Sequence, residues 1–177
     1  GYSLKEVSAP YGYVLSHEAV KFDVTEENST EESGVTVVAV KLGNYAQKGI
    51  IKISKTGEVF ASVAAADGVY QPVYAVQGLA GATYEIKAAE DIYTPDGTLR
   101  CSAGEVVDTV TTGADGMAES KPLYLGKYEI TEMKAPDGMV INKDAHTAEL
   151  VYAGQEIEIT ETVASFCNDR QLSLIHI

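Results

Sequence analysis

The chain has 177 residues, a formal net charge of −13 and 45% hydrophobic residues, which is enough apolar content for a packed core and argues against wholesale disorder. So acidic a sequence lacks the clustered Lys and Arg that phosphate backbones require, and no nucleic-acid partner is expected. No apolar run is long enough to span a bilayer, so no membrane-spanning segment is expected in these residues.

In chain order, the first stretch is YSLKEVSAPYG (residues 2–12), and a close relative of it, YEITEMKAPDG, stands at 128–138. Tyr2, Glu6, Ala9, Pro10 and Gly12 recur as Tyr128, Glu132, Ala135, Pro136 and Gly138 at a constant offset of 126 residues, a typical domain length. Residues 1–47 are therefore expected to be the C-terminal part of one truncated domain, and residues 48–169 a complete copy. Period-2 alternation follows in GIIKISK (49–55), ATYEIKAAED (82–91), KYEITEMK (127–134), HTAELVYAG (146–154) and EIEITETVASFCN (156–168), with a β-branched run at 105–112. TPDG, GADG, APDG and YAGQ punctuate the strands as turns. The pattern predicts an all-β, antiparallel sandwich. Residues 60–80, apolar with Asp67–Gly68 and Pro72, read as an insertion forming a hairpin or a covering loop. Residues 170–177 are treated as a tail, because the closing SLIHI resembles translated sequencing-adapter read-through.

Familiar catalytic and metal signatures are missing. Cys101 and Cys167 form no CxxC pair and permit one disulfide or none, of which two unpaired thiols is the favoured reading. His17, His146 and His176 are scattered, and none has metal-ligand spacing. No GxSxG, HExxH, P-loop or GxGxxG occurs, so no cofactor and no turnover enzyme is expected.

Strand parity supplies the chemistry. Lys55 shares its face with Ile51 and Ile53, and Glu132 shares its face with Tyr128 and Ile130. If those faces point inward, an ammonium and a carboxylate are buried, and buried charges pair or neutralise. A plain Lys–Glu ion pair satisfies that demand. The last strand adds a third member. Ile157 and Ile159 are in one phase while Ala164, Phe166 and Asn168 are in the other, which predicts a bulge near Glu161–Val163. The first copy shows the same change of phase between Val35 and Val37 and the later Val38, Val40, Leu42 and Asn44. Glu6 precedes Asn44 by 38 residues and Glu132 precedes Asn168 by 36, so carboxylate and asparagine recur as a unit. In an apolar interior the neutral forms of amine and acid are favoured. A neutral amine is a nucleophile, and a carboxylic acid beside the amide can move the proton, so the trio can form a Lys–Asn isopeptide bond.

The run from GIIKISK through GLAGATYEIKAAED, GEVVDTVTTGADGMA and LYLGKYEITEMKAPDGMV to FCN resembles the Cna protein B-type, SpaA-like domain of Gram-positive surface adhesins and pilins, over about residues 48–169. The resemblance implies an Ig-like, prealbumin-like β-sandwich with an isopeptide cross-link between Lys55 and Asn168 and with Glu132 as proton shuttle. Glu6 and Asn44 would be the vestigial pair of the truncated copy. Two departures are Met139, where the family usually has an aromatic, and Cys167, which immediately precedes Asn168. The function implied is a structural stalk of a cell-wall-anchored protein, with neighbouring repeat domains as partners. The alternative is a ligand-binding module that takes host matrix protein or glycan through residues 60–80 or 91–104.

Overall fold

The computed structural model describes residues 1–172, so the expectation for the tail falls partly, and that for His176 wholly, outside the described residues. An N-terminal segment holds β1 (Tyr2–Lys5), β2 (Tyr13–Val14), β3 (Ala19–Phe22), β4 (Ser29–Glu32), β5 (Val35–Val38) and β6 (Tyr45–Ala46). These make three two-stranded pairings, β1–β3, β2–β6 and β4–β5. The rest of the chain supplies β7 (Lys48–Ala66), β8 (Val69–Gly78), β9 (Thr83–Ala88), β10 (Ile92–Tyr93), β11 (Leu99–Cys101), β12 (Val106–Thr111), β13 (Met117–Glu119), β14 (Leu123–Tyr124), β15 (Gly126–Lys134), β16 (His146–Leu150) and β17 (Ile159–Asn168).

Two sheets enclose the core. One runs β12-β9-β15-β16, and the other is built on β7, which pairs with β13, β14, β8 and β17. Pairing is antiparallel except between β7 and β17, the first and last strands of the sandwich, which lie parallel. Inward residues alternate as the sequence periodicity requires: Ile51 and Ile53 from β7, Tyr84 and Ile86 from β9, Tyr128 and Ile130 from β15 are all fully buried. No helix of the described residues is long and apolar enough to cross a membrane.

Residues 60–80 are a hairpin rather than a covering loop. β7 continues past the sandwich and pairs with β8 through Ala66↔Val69, with Asp67 (φ 52°) and Gly68 (φ 75°) at the tip. The two positive φ values are those of a type I′ turn, which suits a two-residue hairpin connection.

The predicted bulge in the last strand is not there. β17 pairs with β7 in unbroken register from Ile159↔Lys48 to Asn168↔Gly57. The change of apolar phase has another cause. Ile157 precedes the strand in a turn closed onto the Gly154 carbonyl, and Ile159 lines a cleft with Tyr13 and Tyr45 of the N-terminal segment. The two isoleucines serve the join between the segments, and Thr160 and Thr162 keep the inward phase of Ala164. In the first copy β5 ends at Val38, and no strand carries the chain on to Asn44.

Candidate functional site

β7, β15 and β17 each present one polar side chain to the same end of the core: Lys55 (1% exposed), Glu132 (3%) and Asn168 (4%). Each lies in the inward phase of its strand, so the fold itself brings them together. The Lys55 Nζ lies 3.0 Å from Glu132 Oε1 and in close contact with Asn168 Oδ1. Asn168 Nδ2 donates to both carboxylate oxygens of Glu132 at 3.0 Å. One oxygen, Oε1, thus touches both the amine and the amide nitrogen.

Groups that strand parity does not identify complete the shell. The backbone N–H of Asn142 donates to Glu132 Oε2 at 2.9 Å, and the Tyr84 hydroxyl lies 3.5 Å from Oε1. Burial pushes the Tyr84 phenol well above its ordinary range, and the neighbouring Glu132 charge adds to the shift. A register shift between Glu132 and Lys134 ends the regular β15–β9 ladder beside the site. Glycine makes room for it. A Cβ at Gly57 would fall 2.6 Å from Leu79 Cδ1 and 3.2 Å from the Asn168 carbonyl oxygen. One at Gly116 (φ +77°) would fall 2.4 Å from the Lys55 carbonyl oxygen. A cleft of about 200 Å³, lined in part by Glu132, Asn142, His146, Phe166 and Asn168, opens onto the cluster from solvent.

The N-terminal segment repeats this arrangement without an amine. Asn44 Nδ2 donates to Glu6 Oε1 and Oε2 at 2.9 and 2.7 Å. The Ser16 N–H donates to Glu6 Oε2 at 2.9 Å, as Asn142 N–H does to Glu132. Ser16 and Asn142 are separated by the same 126 residues as the two glutamates. Cys101 and Cys167 are both free thiols, as expected, and His17 pairs with Glu156 on the surface at 2.9 Å. Among the described residues no three His, Cys, Asp or Glu side chains cluster as metal ligands.

Fold and site define an all-β sandwich domain whose first and last strands meet in a buried amine–carboxylate–amide cluster. The sequence matches the family described as the SpaA prealbumin-like fold domain over residues 74–163, about half of the chain, and the chain belongs to that family. The matched stretch contains Glu132 but neither Lys55 nor Asn168. Among solved structures, the Bacillus anthracis TIE protein is 25% identical with a TM-score of 0.50, over 96% of this chain and 24% of that one. GBS52, the minor pilin of Streptococcus agalactiae, is 15% identical with a TM-score of 0.47, over 90% of this chain and 60% of its own. The major pilin SpaD from Corynebacterium diphtheriae is 23% identical with a TM-score of 0.44, over 70% and 32%. The chain thus spans about a quarter of the first of these proteins and three fifths of the second. No curated protein sequence matches it.

Proposed function

We propose that the chain is a stalk segment of a cell-wall-anchored adhesin or pilin-like protein on a Gram-positive cell surface. In this reading residues 1–47 end one domain and residues 48–169 form a complete one, closed by a Lys55–Asn168 isopeptide bond. The convergence of Lys55, Glu132 and Asn168 in one buried cluster carries the proposal.

The reaction follows from the contacts. A proton passes from the Lys55 ammonium to Glu132 Oε1, 3.0 Å away, leaving a neutral amine and a carboxylic acid. The amine nitrogen, already against the side-chain carbonyl of Asn168, attacks Cγ and the carbonyl electrons move onto Oδ1. Glu132 then passes its proton to Nδ2 and takes the second proton from the attacking nitrogen, the Cγ–Nδ2 bond breaks, ammonia leaves, and Glu132 is left as the acid beside a neutral amide. The same carboxylate oxygen reaches donor and leaving group at 3.0 Å, so the shuttle needs no large movement. The cleft beside Asn142 and His146 gives ammonia a way out.

The mechanical consequence depends on strand order. A pull entering at Lys48 and leaving after Asn168 loads the parallel β7–β17 pair in shear. With the bond in place the load crosses from Lys55 to Asn168, and residues 56–167 carry none of it. Peptide mapping of the folded chain tests the assignment: a branched peptide joining the Lys55 and Asn168 segments is expected, and only linear peptides from both would overturn it.

One observation favours the ligand-binding alternative. A cleft of about 520 Å³ between the N-terminal segment and the 94–100 loop is lined in part by Tyr13, Tyr45, Lys48, Arg100 and Tyr124. The Lys48 Nζ and the Arg100 guanidinium stand 4.7 and 4.9 Å from the Tyr124 ring centre. Saturable binding of the chain to a glycan or matrix-protein array, lost in Arg100→Ala, would favour this reading; no binding would remove it.

A further inference from the structure

Gln47 joins the N-terminal segment to the sandwich. Its side chain is 1% exposed, and every polar atom of its amide has a partner. Nε2 donates to the Gly154 and Ile157 carbonyls at 2.8 and 2.5 Å, and Oε1 accepts from the Ala153 N–H at 2.9 Å. Its own backbone N–H donates to the Gly12 carbonyl at 2.8 Å. The 152–157 loop answers with Gln155, whose Oε1 accepts from Ala9 N–H and whose carbonyl accepts from Leu15 N–H. Tyr11 packs on Tyr152 at 4.5 Å, and Pro95 covers Gly12.

Half of this joint exists a second time. Gln47 follows Asn44 by three residues, and Gln171 follows Asn168 by three. The Gln171 backbone N–H donates to the Gly138 carbonyl at 2.8 Å, as Gln47 does to Gly12. Tyr13 pairs with Ala46, and the equivalent Met139 pairs with Arg170. What differs is the cover. Gln47 and Gly12 are buried, whereas Gln171, Gly138 and Val140 are exposed. A glutamine held in the same backbone frame, with its amide presented at the surface, offers two donors and an acceptor spaced for the carbonyl and N–H groups of a 152–157 loop.

We propose that Gly138, Met139, Val140 and Gln171 form a docking face for the 152–157 loop of another domain of this kind, with Gln171 seated there as Gln47 is seated here. The face propagates one joint geometry along a row of domains. The five hydrogen bonds that Ala9, Leu15 and Gln47 make with the 152–157 loop would recur at each step and hold successive domains at a fixed angle. The inference rests on the tandem-repeat part of the stalk reading and not on the cross-link. Failure of the cross-link changes the intact mass and leaves the joint geometry as it is.

The test extends the full chain beyond Leu172 with a second copy of residues 49–169. Spin-label pairs across each joint give the spread of interdomain distances. The second joint is expected to be as narrow as the first. Gln47→Ala should broaden the first alone and Gln171→Ala the second alone. Because Gln171 is exposed in the present chain, its substitution should leave the melting temperature of that chain unchanged, which separates docking from folding. A second joint that is broad without substitution, or indifferent to Gln171→Ala, would overturn the proposal.

Discussion

Glu132 is buried because its parity on β15 is that of Tyr128 and Ile130, and Lys55 follows Ile51 and Ile53 in the same way. Removing Glu132 takes away the proposed shuttle and neither reacting atom. Glu132→Ala is therefore expected to keep the sandwich, retain its ammonia and melt at a lower temperature. By analogy with disulfide loop closure across 113 residues, the lost bond is worth about 5 kcal/mol. If Glu132→Ala still loses ammonia, the shuttle is another acid. Two phenols give a pH test. Tyr84 and Tyr128 are fully buried, and burial raises both above their ordinary 10.0. Below that value folded and unfolded chains both hold these protons and stability is unaffected. Above it the unfolded chain ionises first, so stability falls as pH rises. Absorbance titration should show two of the eleven tyrosines resisting ionisation until the protein unfolds. All eleven titrating near pH 10 in folded protein would contradict their burial. The three site residues were legible because period-2 alternation fixes a face. The Asn142 N–H and Tyr84 hydroxyl were not, since the loop path and the register of β9 against β15 place them.

β7 is two structures in one strand. Through Gly57 its inward residues are buried, and beyond Glu58 almost every residue on it and on β8 is exposed. Phe60, Tyr70 and Val76 are 60%, 74% and 66% exposed. A free two-stranded ribbon is marginal in water, and this one is fastened mainly at its base. There Arg170 stacks on Tyr74 at 3.6 Å and pairs with Glu58 at 3.2 Å. Amide exchange is expected to be fast from Val63 to Val73 and slow at Ile51, Ile53 and Ile130. Protection of the ribbon equal to that of the core strands would show that something else covers it. The sequence marked this stretch as an insertion, because it is apolar without a partner pattern. It could not distinguish a projecting ribbon from a covering loop, since both are apolar and only tertiary packing separates them. The phase change in β17 misled for a related reason: Ile157 and Ile159 are apolar for the joint, and periodicity records burial without naming the partner.

At the scale of the whole molecule, the offset of 126 residues organises everything else. Glu6 recurs as Glu132 at that offset, Asn44 and Gln47 recur as Asn168 and Gln171 two residues short of it at 124, and each asparagine bonds its own glutamate. Among the described residues only the second set has an amine in contact with it. Lys48, which lines the same cleft as Asn44, is engaged with the Tyr124 ring. The N-terminal pairings are short and largely exposed, tied to the sandwich through residues 9–17 and Gln47. Limited proteolysis should therefore cut first between residues 18 and 43, leaving the 48–169 region whole; equal resistance at both ends would mean the boundary lies elsewhere. The intact mass of the folded 177-residue chain tests the central claim most directly. The Lys55, Glu132 and Asn168 cluster predicts a mass lower than that of the sequence by one ammonia. A mass equal to that of the sequence would contradict the cross-link, and a loss of two would contradict the reading of Glu6 and Asn44 as a site without its amine.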